Sequence, residues 1–230
     1  MTNMKYLKRF NESKNSIESI CIKYGIYNYT INEDGSIDVD VNVDLANKKL
    51  IELPLRFRNV GGNFWCHNSD LTTLEGCPEN VGGDFTCFNN RLTSLKGCPE
   101  IIGGDFACFR NEIVSLDDCP KNVVGDFDCS DNQLTSLEGL PQSVYISCMD
   151  NNIVDFRGIS EYYEGDLDCE GNPIYEIYAL FKTSKCIKWI NEFDVIKDGN
   201  KVIMDRLEEV YHQLGMEMPE NITFKSYEIV

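Results

Sequence analysis

The sequence predicts an α/β repeat protein, a solenoid of about seven 21-residue coils with a parallel β-sheet on its concave face. A 21-residue motif recurs along the chain, for example as "VGGDFTCFNNRLTSLKGCPEI" from Val81 to Ile101. Within each copy two apolar residues alternate with polar ones, which is the period of a strand with one buried face. The flanking segments have helix and hairpin patterns instead. We therefore expect an N-terminal helix and hairpin cap at residues 1–42, repeats at 43–177 and a C-terminal cap at 178–230.

The segment before the repeats predicts one helix and one hairpin. Apolar residues at helical spacing favour a short amphipathic helix within residues 5–24. Polar and apolar residues then alternate around Asp34-Gly35, a strong hairpin signal. Together these elements would cover the open edge of the first coil, which otherwise invites pairing with another chain.

Seven copies of the motif align on the first inward residue of a predicted strand. The spacing between copies is 21 residues, except for 19 in the one copy that has a shortened loop, "LPQSVY". Each copy ends in a proline-containing segment that is too short for a full helix, which predicts an extended convex side. The aligned residues are Val43, Phe64, Phe85, Phe106, Phe127, Ile146 and Leu167.

An asparagine follows the predicted strand in five copies. We expect its amide to lie inside the turn and to bond backbone groups of adjacent coils, because buried N–H and C=O groups need partners. Lys48 and Ser69 take this position in the first two copies, so the first coil is expected to be a partly exposed cap. The asparagine column is Asn90, Asn111, Asn132, Asn151 and Asn172.

The cysteines also repeat, and we interpret them as small buried hydrophobes. A single file of thiols along the coils does not offer the tetrahedral ligand set of a metal site. Nucleophilic catalysis would need a neighbouring base, and the chain has only two histidines. The sequence therefore predicts no metal, no cofactor and no catalytic residue. Six cysteines fall in the strand column and three before a proline: Cys66, Cys87, Cys108, Cys129, Cys148 and Cys169, with Cys77, Cys98 and Cys119.

The segment after the repeats predicts a small α+β unit. "IYEIYALF" and "KCIKWINEFDVI" favour short helices, and "VIKDGNKVI" favours a hairpin. "MDRLEEVYHQLG" favours a helix that ends at Gly215, and "NITFKSYEIV" a strand. We expect a C-terminal cap, since repeat arrays need polar-faced ends; the alternative is a separate functional domain.

The charge is strongly negative and is concentrated in the repeats. Of the net −17, residues 60–172 carry −15. Direct binding to nucleic acid phosphates is therefore not expected, whereas a basic protein partner, a cation or simple solubility fit. No apolar stretch resembles a signal-peptide core or a membrane span, and the cysteines indicate reduced thiols. We expect a cytoplasmic, monomeric protein that does not contact membranes.

The repeat resembles leucine-rich-repeat proteins. The pattern L-x-L-x-x-N-x-L is present with Phe and Cys in the leucine places, and "GCPE" and "GLPQ" are similar to the short bacterial and bacteriophage type. "KYLKRFNES" and "KYGIYNYTINEDGSIDVD" resemble repeat proteins of phages of aquatic bacteria. The resemblance implies protein–protein recognition on the concave strand face, by a phage product acting on a host protein in the host cytoplasm or within the virion.

Strand residues that alternate with the inward ones should face the partner. They predict an aromatic patch of Trp65, His67, Phe88 and Phe109 beside Arg110. They also predict an acidic surface, which begins at Asp84 and Asp105 and is densest toward the C-terminal end. The alternative interpretation is that the aromatics pack on the N-terminal cap or on one another, and that the acids are only a solvated surface. The dense acidic zone consists of Asp126, Asp128, Asp131, Asp166, Asp168 and Glu170.

Two functions fit these patterns, and a third has no motif in its favour. The first is a non-enzymatic module that binds a protein partner on the strand face. The alternative is an acidic DNA mimic that inhibits a nucleic-acid-binding host protein. An enzyme is not expected, because the chain has no phosphate-binding glycine loop, metal-ligand cluster or nucleophile–base pair.

Overall fold

Each repeat of the computed structural model, which describes residues 14–141 and 143–230, contributes short strands to stacked parallel sheets. The described chain forms a β-solenoid of about six stacked coils with four helices. The prediction of a repeat solenoid with a parallel sheet is therefore confirmed. The predicted N-terminal helix falls partly outside the described residues, within which helix α1 covers residues 14–24.

A six-stranded sheet begins with a hairpin and continues along one side of the solenoid. Strands β1 (Tyr29–Ile31) and β2 (Ile37–Val39) pair antiparallel and turn at Asp34-Gly35, and four parallel strands follow β2. The hairpin was predicted, and the convex side was expected to be extended, but the parallel strands that it forms were not specified. Each of the last three strands has two residues, of which only the second is buried, so no alternation is visible. The strands are β1 (Tyr29–Ile31), β2 (Ile37–Val39), β4 (Phe57–Val60), β6 (Asn80–Val81), β8 (Ile101–Ile102) and β10 (Asn122–Val123).

A seven-stranded sheet lies beside it and contains the predicted strand residues. Its strands are parallel, and each aligned residue of the motif pairs with its copy in the next strand, from Val43 with Phe64 to Ile146 with Leu167. The 19-residue spacing between Phe127 and Ile146 leaves this register unchanged. The strands are β3 (Val43–Asp44), β5 (Phe64–Trp65), β7 (Phe85–Thr86), β9 (Phe106–Ala107), β11 (Phe127–Asp128), β12 (Tyr145–Ser147) and β13 (Asp166–Asp168).

The core between the sheets is built from columns of identical or similar residues. The rings of Phe64, Phe85, Phe106 and Phe127 are buried, with successive centroids 5.7, 5.7 and 5.3 Å apart. The six strand cysteines lie beside them and are 0–1% exposed, as predicted. Burial on this scale supplies the main favourable contribution to folding, since each buried side chain of this size is worth about 1.5–3 kcal/mol.

The asparagine column, which we also call the asparagine ladder, forms the predicted bonds. The Asn111 amide donates to the carbonyls of Cys87 and Cys108 at 3.2 and 3.0 Å, and its Oδ1 accepts from the Leu92 N–H at 3.0 Å. The same pattern holds at Asn90, Asn132, Asn151 and Asn172. Each asparagine therefore links its own coil to the one before it.

Glycine pairs form the corner between the two sheets. A Cβ on Gly104 would overlap the Asp84 carboxylate of the preceding coil and lie 2.9 Å from the carbonyl carbon of Gly83. That carboxylate accepts the backbone N–H of Asp105 at 3.0 Å. The recurring "GGDF" thus has a structural reason, because the second glycine leaves room for the aspartate that caps the next coil.

The segment after β13 packs on the last coil and shares its hydrophobic core. The Tyr227 hydroxyl donates to the Val154 carbonyl at 2.7 Å, and the Asn191 amide donates to the Phe156 carbonyl at 3.2 Å. A third sheet orders its strands β14-β15-β16. That this tail acts as a cap stays a prediction. Its elements are α2 (Tyr175–Phe181), α3 (Lys185–Glu192), β14 (Ile196–Lys197), β15 (Lys201–Val202), α4 (Met204–Gln213) and β16 (Glu228–Ile229).

Candidate functional site

The outer face of the seven-stranded sheet carries the predicted site residues in columns. Within one coil, Asp84, Thr86 and Phe88 alternate with the buried Phe85 and Cys87 and therefore face outward. Backbone N–H groups of residues 85, 87 and 89 bond the carbonyls of residues 105, 107 and 109, so the extended pairing continues as far as the third column. The face can thus be read as three columns of side chains that cross the coils.

The third column contains a stack of three rings, which we call the aromatic ladder: His67, Phe88 and Phe109. The His67 and Phe88 centroids are 4.3 Å apart with planes 11° from parallel, and those of Phe88 and Phe109 are 4.4 Å apart at 6°. The spacing is close to the strand separation of about 4.8 Å. All three rings are half-buried, so the predicted exposed patch is instead a stack with one accessible side.

His67 is held in this stack by a hydrogen bond as well as by packing. Its Nδ1 lies 2.8 Å from the Thr86 hydroxyl of the next coil. Partial burial lowers the pKa of His67 below its ordinary value of 6.5, although Asp44 opposes the shift. The shift favours the uncharged form of the ring, so the ladder presents aromatic ring faces among which Phe88 and Phe109 are the apolar members.

Trp65 and Arg110 flank the ladder without belonging to it. Trp65 is half-buried in the second column, one coil before Thr86. Arg110 has a left-handed backbone (φ 53°), its Nε lies 3.4 Å from an Asp131 carboxylate oxygen, and its Cζ is 6.0 Å from the Phe109 centroid. Every coil places a residue with positive φ at this position, which the sequence analysis did not identify although Asn68 and Asn89 are typical of it.

The first column contains three aspartates on adjacent strands, which we call the carboxylate ladder: Asp84, Asp105 and Asp126. Asp84 Oδ1 accepts the Asp105 N–H at 3.0 Å, and Asp105 Oδ1 accepts the Asp126 N–H at 2.9 Å. Asn42 and Asn63 do the same in the earlier coils, so an amide oxygen satisfies this position too. These aspartates therefore have a structural role that the sequence analysis missed.

The predicted C-terminal acidic zone is divided by an uncharged strand. Asp128 of β11 and Asp168 of β13 both pair with Ser147 of β12, so they stand two strands apart, roughly 10 Å. Partial burial, and then the carboxylates of Asp168, Asp128 and Asp126, raise the pKa of Tyr145. The uncharged strand β12 thus lies between two strands that carry aspartates, and Glu170 is exposed at the end of its column.

The thiols do not form a reactive site. Burial raises the pKa of Cys169 and Cys186 to about 12, and it raises those of Cys87, Cys108 and Cys129 well above the ordinary value. Neutral thiols of this kind are poor nucleophiles. Within residues 14–141 and 143–230, no group of three or more His, Cys, Asp or Glu side chains could hold a metal ion.

None of the helices in the described part of the chain is long and apolar enough to cross a membrane.

Comparison with known proteins adds no relative to this description. No protein-family model matches the chain, and neither does any curated protein or solved structure that was searched.

Proposed function

We propose that this chain is a non-enzymatic binding module that takes a protein partner on the outer face of its seven-stranded sheet. The aromatic ladder is the observation that carries this proposal. Three stacked rings leave one accessible side on a solvent-facing sheet, and Trp65 adds a fourth half-buried aromatic beside them. Aromatic residues are enriched at the centres of protein interfaces.

We propose further that the solenoid is of the leucine-rich-repeat type, with seven coils and a cap at each end. The asparagine ladder and the seven-stranded sheet support this assignment. In that type of repeat the strand face is concave and is the surface that meets a partner. The concave surface is therefore the proposed contact area, with Phe88 near its centre.

Affinity capture tests the proposal. Four baits are compared: the wild type, the ladder variants Phe88→Ala and Phe109→Ala, and a matched control, Tyr162→Ala. The control removes an aromatic side chain that is 81% exposed and lies outside the ladder. We expect the wild type and the control to retain the same protein from the lysate. Each of the two ladder variants should bind that protein about 30-fold more weakly, which is a loss of about 2 kcal/mol and typical of an interface anchor. Capture that is equal for all four baits, or absent for all, would contradict the proposal.

The DNA-mimic alternative is favoured by one specific observation. Within the described residues, no lysine, arginine or histidine forms an ion pair with the carboxylate ladder. A mimic would bind through charge, so its partner would be displaced by duplex DNA and would be lost steeply as salt rises. The mimic would be favoured by a captured protein that duplex DNA displaces and that binds the Trp65→Ala variant and the wild type with equal affinity.

A further inference from the structure

A strip of small side chains separates the two ladders. Thr86 and Ala107 occupy the second column on β7 and β9, with the carboxylate ladder on one side and the aromatic ladder on the other. The residues of one strand that flank the strip, Asp84 and Phe88, are four positions apart, roughly 13 Å along the strand. A peptide segment of a partner that lies across the coils would therefore contact small side chains beneath it, carboxylates on one side and aromatic rings on the other.

The strip of small side chains ends at a larger residue on one side and at a charged residue on the other. Trp65 precedes Thr86 in the second column, and Asp128 follows Ala107. Both residues are half-buried and face the same side of the sheet. From Trp65 to Asp128 the column spans three strand intervals, roughly 14 Å, which is the length of about four to five extended residues.

The two sides of the strip differ in charge. The neutral rings of Phe88 and Phe109 form the apolar side. On the other side, Asp84 and Asp105 each use Oδ1 for a backbone N–H of the next coil. Asp84 Oδ2 also accepts a hydrogen bond from the Asn63 side-chain amide at 3.3 Å, so one oxygen of Asp84 is shared with a neutral amide. No side-chain cation within residues 14–141 and 143–230 neutralises either of them.

We propose that the partner presents an extended basic segment in which cationic and apolar side chains alternate. Successive side chains of an extended chain point to opposite sides, so the cationic ones would reach the carboxylate ladder while the apolar ones pack on the aromatic ladder. In a segment of uniform charge, half of the cations would lie on the aromatic side, where no carboxylate of the ladder faces them and no apolar side chain would be buried against the rings. This inference rests on the proposed function, and it adds the chemistry of the partner.

Selection from a displayed library of random octapeptides tests the inference. The library is selected on the wild-type protein after depletion on a variant with Phe88→Ala and Phe109→Ala. Enrichment of alternating basic and apolar residues supports the inference. Enriched peptides without basic residues would overturn it and leave the proposed function standing, whereas no enrichment over the variant would overturn both.

Defined peptides then measure the charge requirement. An octapeptide of alternating Arg and Leu should bind about tenfold more tightly than its isomer with four Arg followed by four Leu, by fluorescence anisotropy. The triple change Asp84→Asn, Asp105→Asn and Asp126→Asn keeps the backbone acceptors, as Asn42 and Asn63 do, and should cost about tenfold.

The matched control removes three charges from exposed residues outside the strip, Asp117→Asn, Asp118→Asn and Glu138→Gln. It should leave the affinity for the alternating peptide within about twofold of the wild type. Equal binding of the two isomers, or equal losses in the two triple variants, would show a response to overall charge alone and would overturn the inference.

Discussion

The asparagine ladder gives the most direct test of how the coils are held together. Asn111→Ala removes three hydrogen bonds of 3.0–3.2 Å, which join its amide to the carbonyls of Cys87 and Cys108 and its Oδ1 to the Leu92 N–H, together with a longer amide contact of 3.4 Å to the Phe109 carbonyl. Alanine cannot replace any of them, and the three backbone groups lie in the interior of the turn. At about 1 kcal/mol for each bond, we expect the free energy of unfolding to fall by about 3 kcal/mol.

Urea unfolding followed by circular dichroism measures this loss. The matched control is Asn152→Ala, which truncates an exposed asparagine next to the ladder and should change the free energy of unfolding by less than about 0.5 kcal/mol. The dependence on urea concentration should be the same in both variants, because the surface exposed on unfolding is unchanged. A loss at Asn111 below about 1 kcal/mol would refute the role assigned to the ladder.

Three further predictions concern the same stacked architecture. The buried Ser69 Oγ has no partner at the ladder position, so Ser69→Asn should extend the ladder and raise the melting temperature by about 2–4 °C; an unchanged melt would count against this. Gly104→Ala should lower stability by about 2 kcal/mol or more in urea unfolding, because its Cβ would displace the Asp84 carboxylate. The pKa of Cys169 and Cys186 is raised from 9.0 to about 12, so the unfolded thiols ionise first and stability should fall as pH rises from 9 to 12. Cys169→Ala should lose less stability than the wild type over that interval, and an identical pH dependence would contradict this assignment.

The sequence was most informative where a residue type repeats at a fixed spacing. Phe85 and its copies define both the buried face and the strand register, because a slip of one residue would turn every side chain to the other face. The 19-residue interval did not change this register. The second sheet was not predicted, because a two-residue strand such as Ile101–Ile102 is too short for an alternating pattern.

The candidate site was predicted in outline but not in its contacts. Alternation placed Phe88 and Asp84 on the outer face, as the structure does. The sequence alone did not reveal that Phe88 stacks between two rings, or that Asp84 caps an N–H of the next coil, because both contacts join residues about 21 positions apart. Such contacts become predictable only once the register between coils is known.

The register of the coils also determines how a chain of this kind can change its length. A second copy of residues 85–105 inserted after Asp105 would pair with the original coil on one side and with the coil that begins at Phe106 on the other, in the register that the coils already use. Each added copy would lengthen the aromatic ladder by one phenylalanine and the carboxylate ladder by one aspartate. An in-frame duplication would therefore extend the surface offered to a partner, and a deletion would shorten it, while the rest of the protein kept its structure.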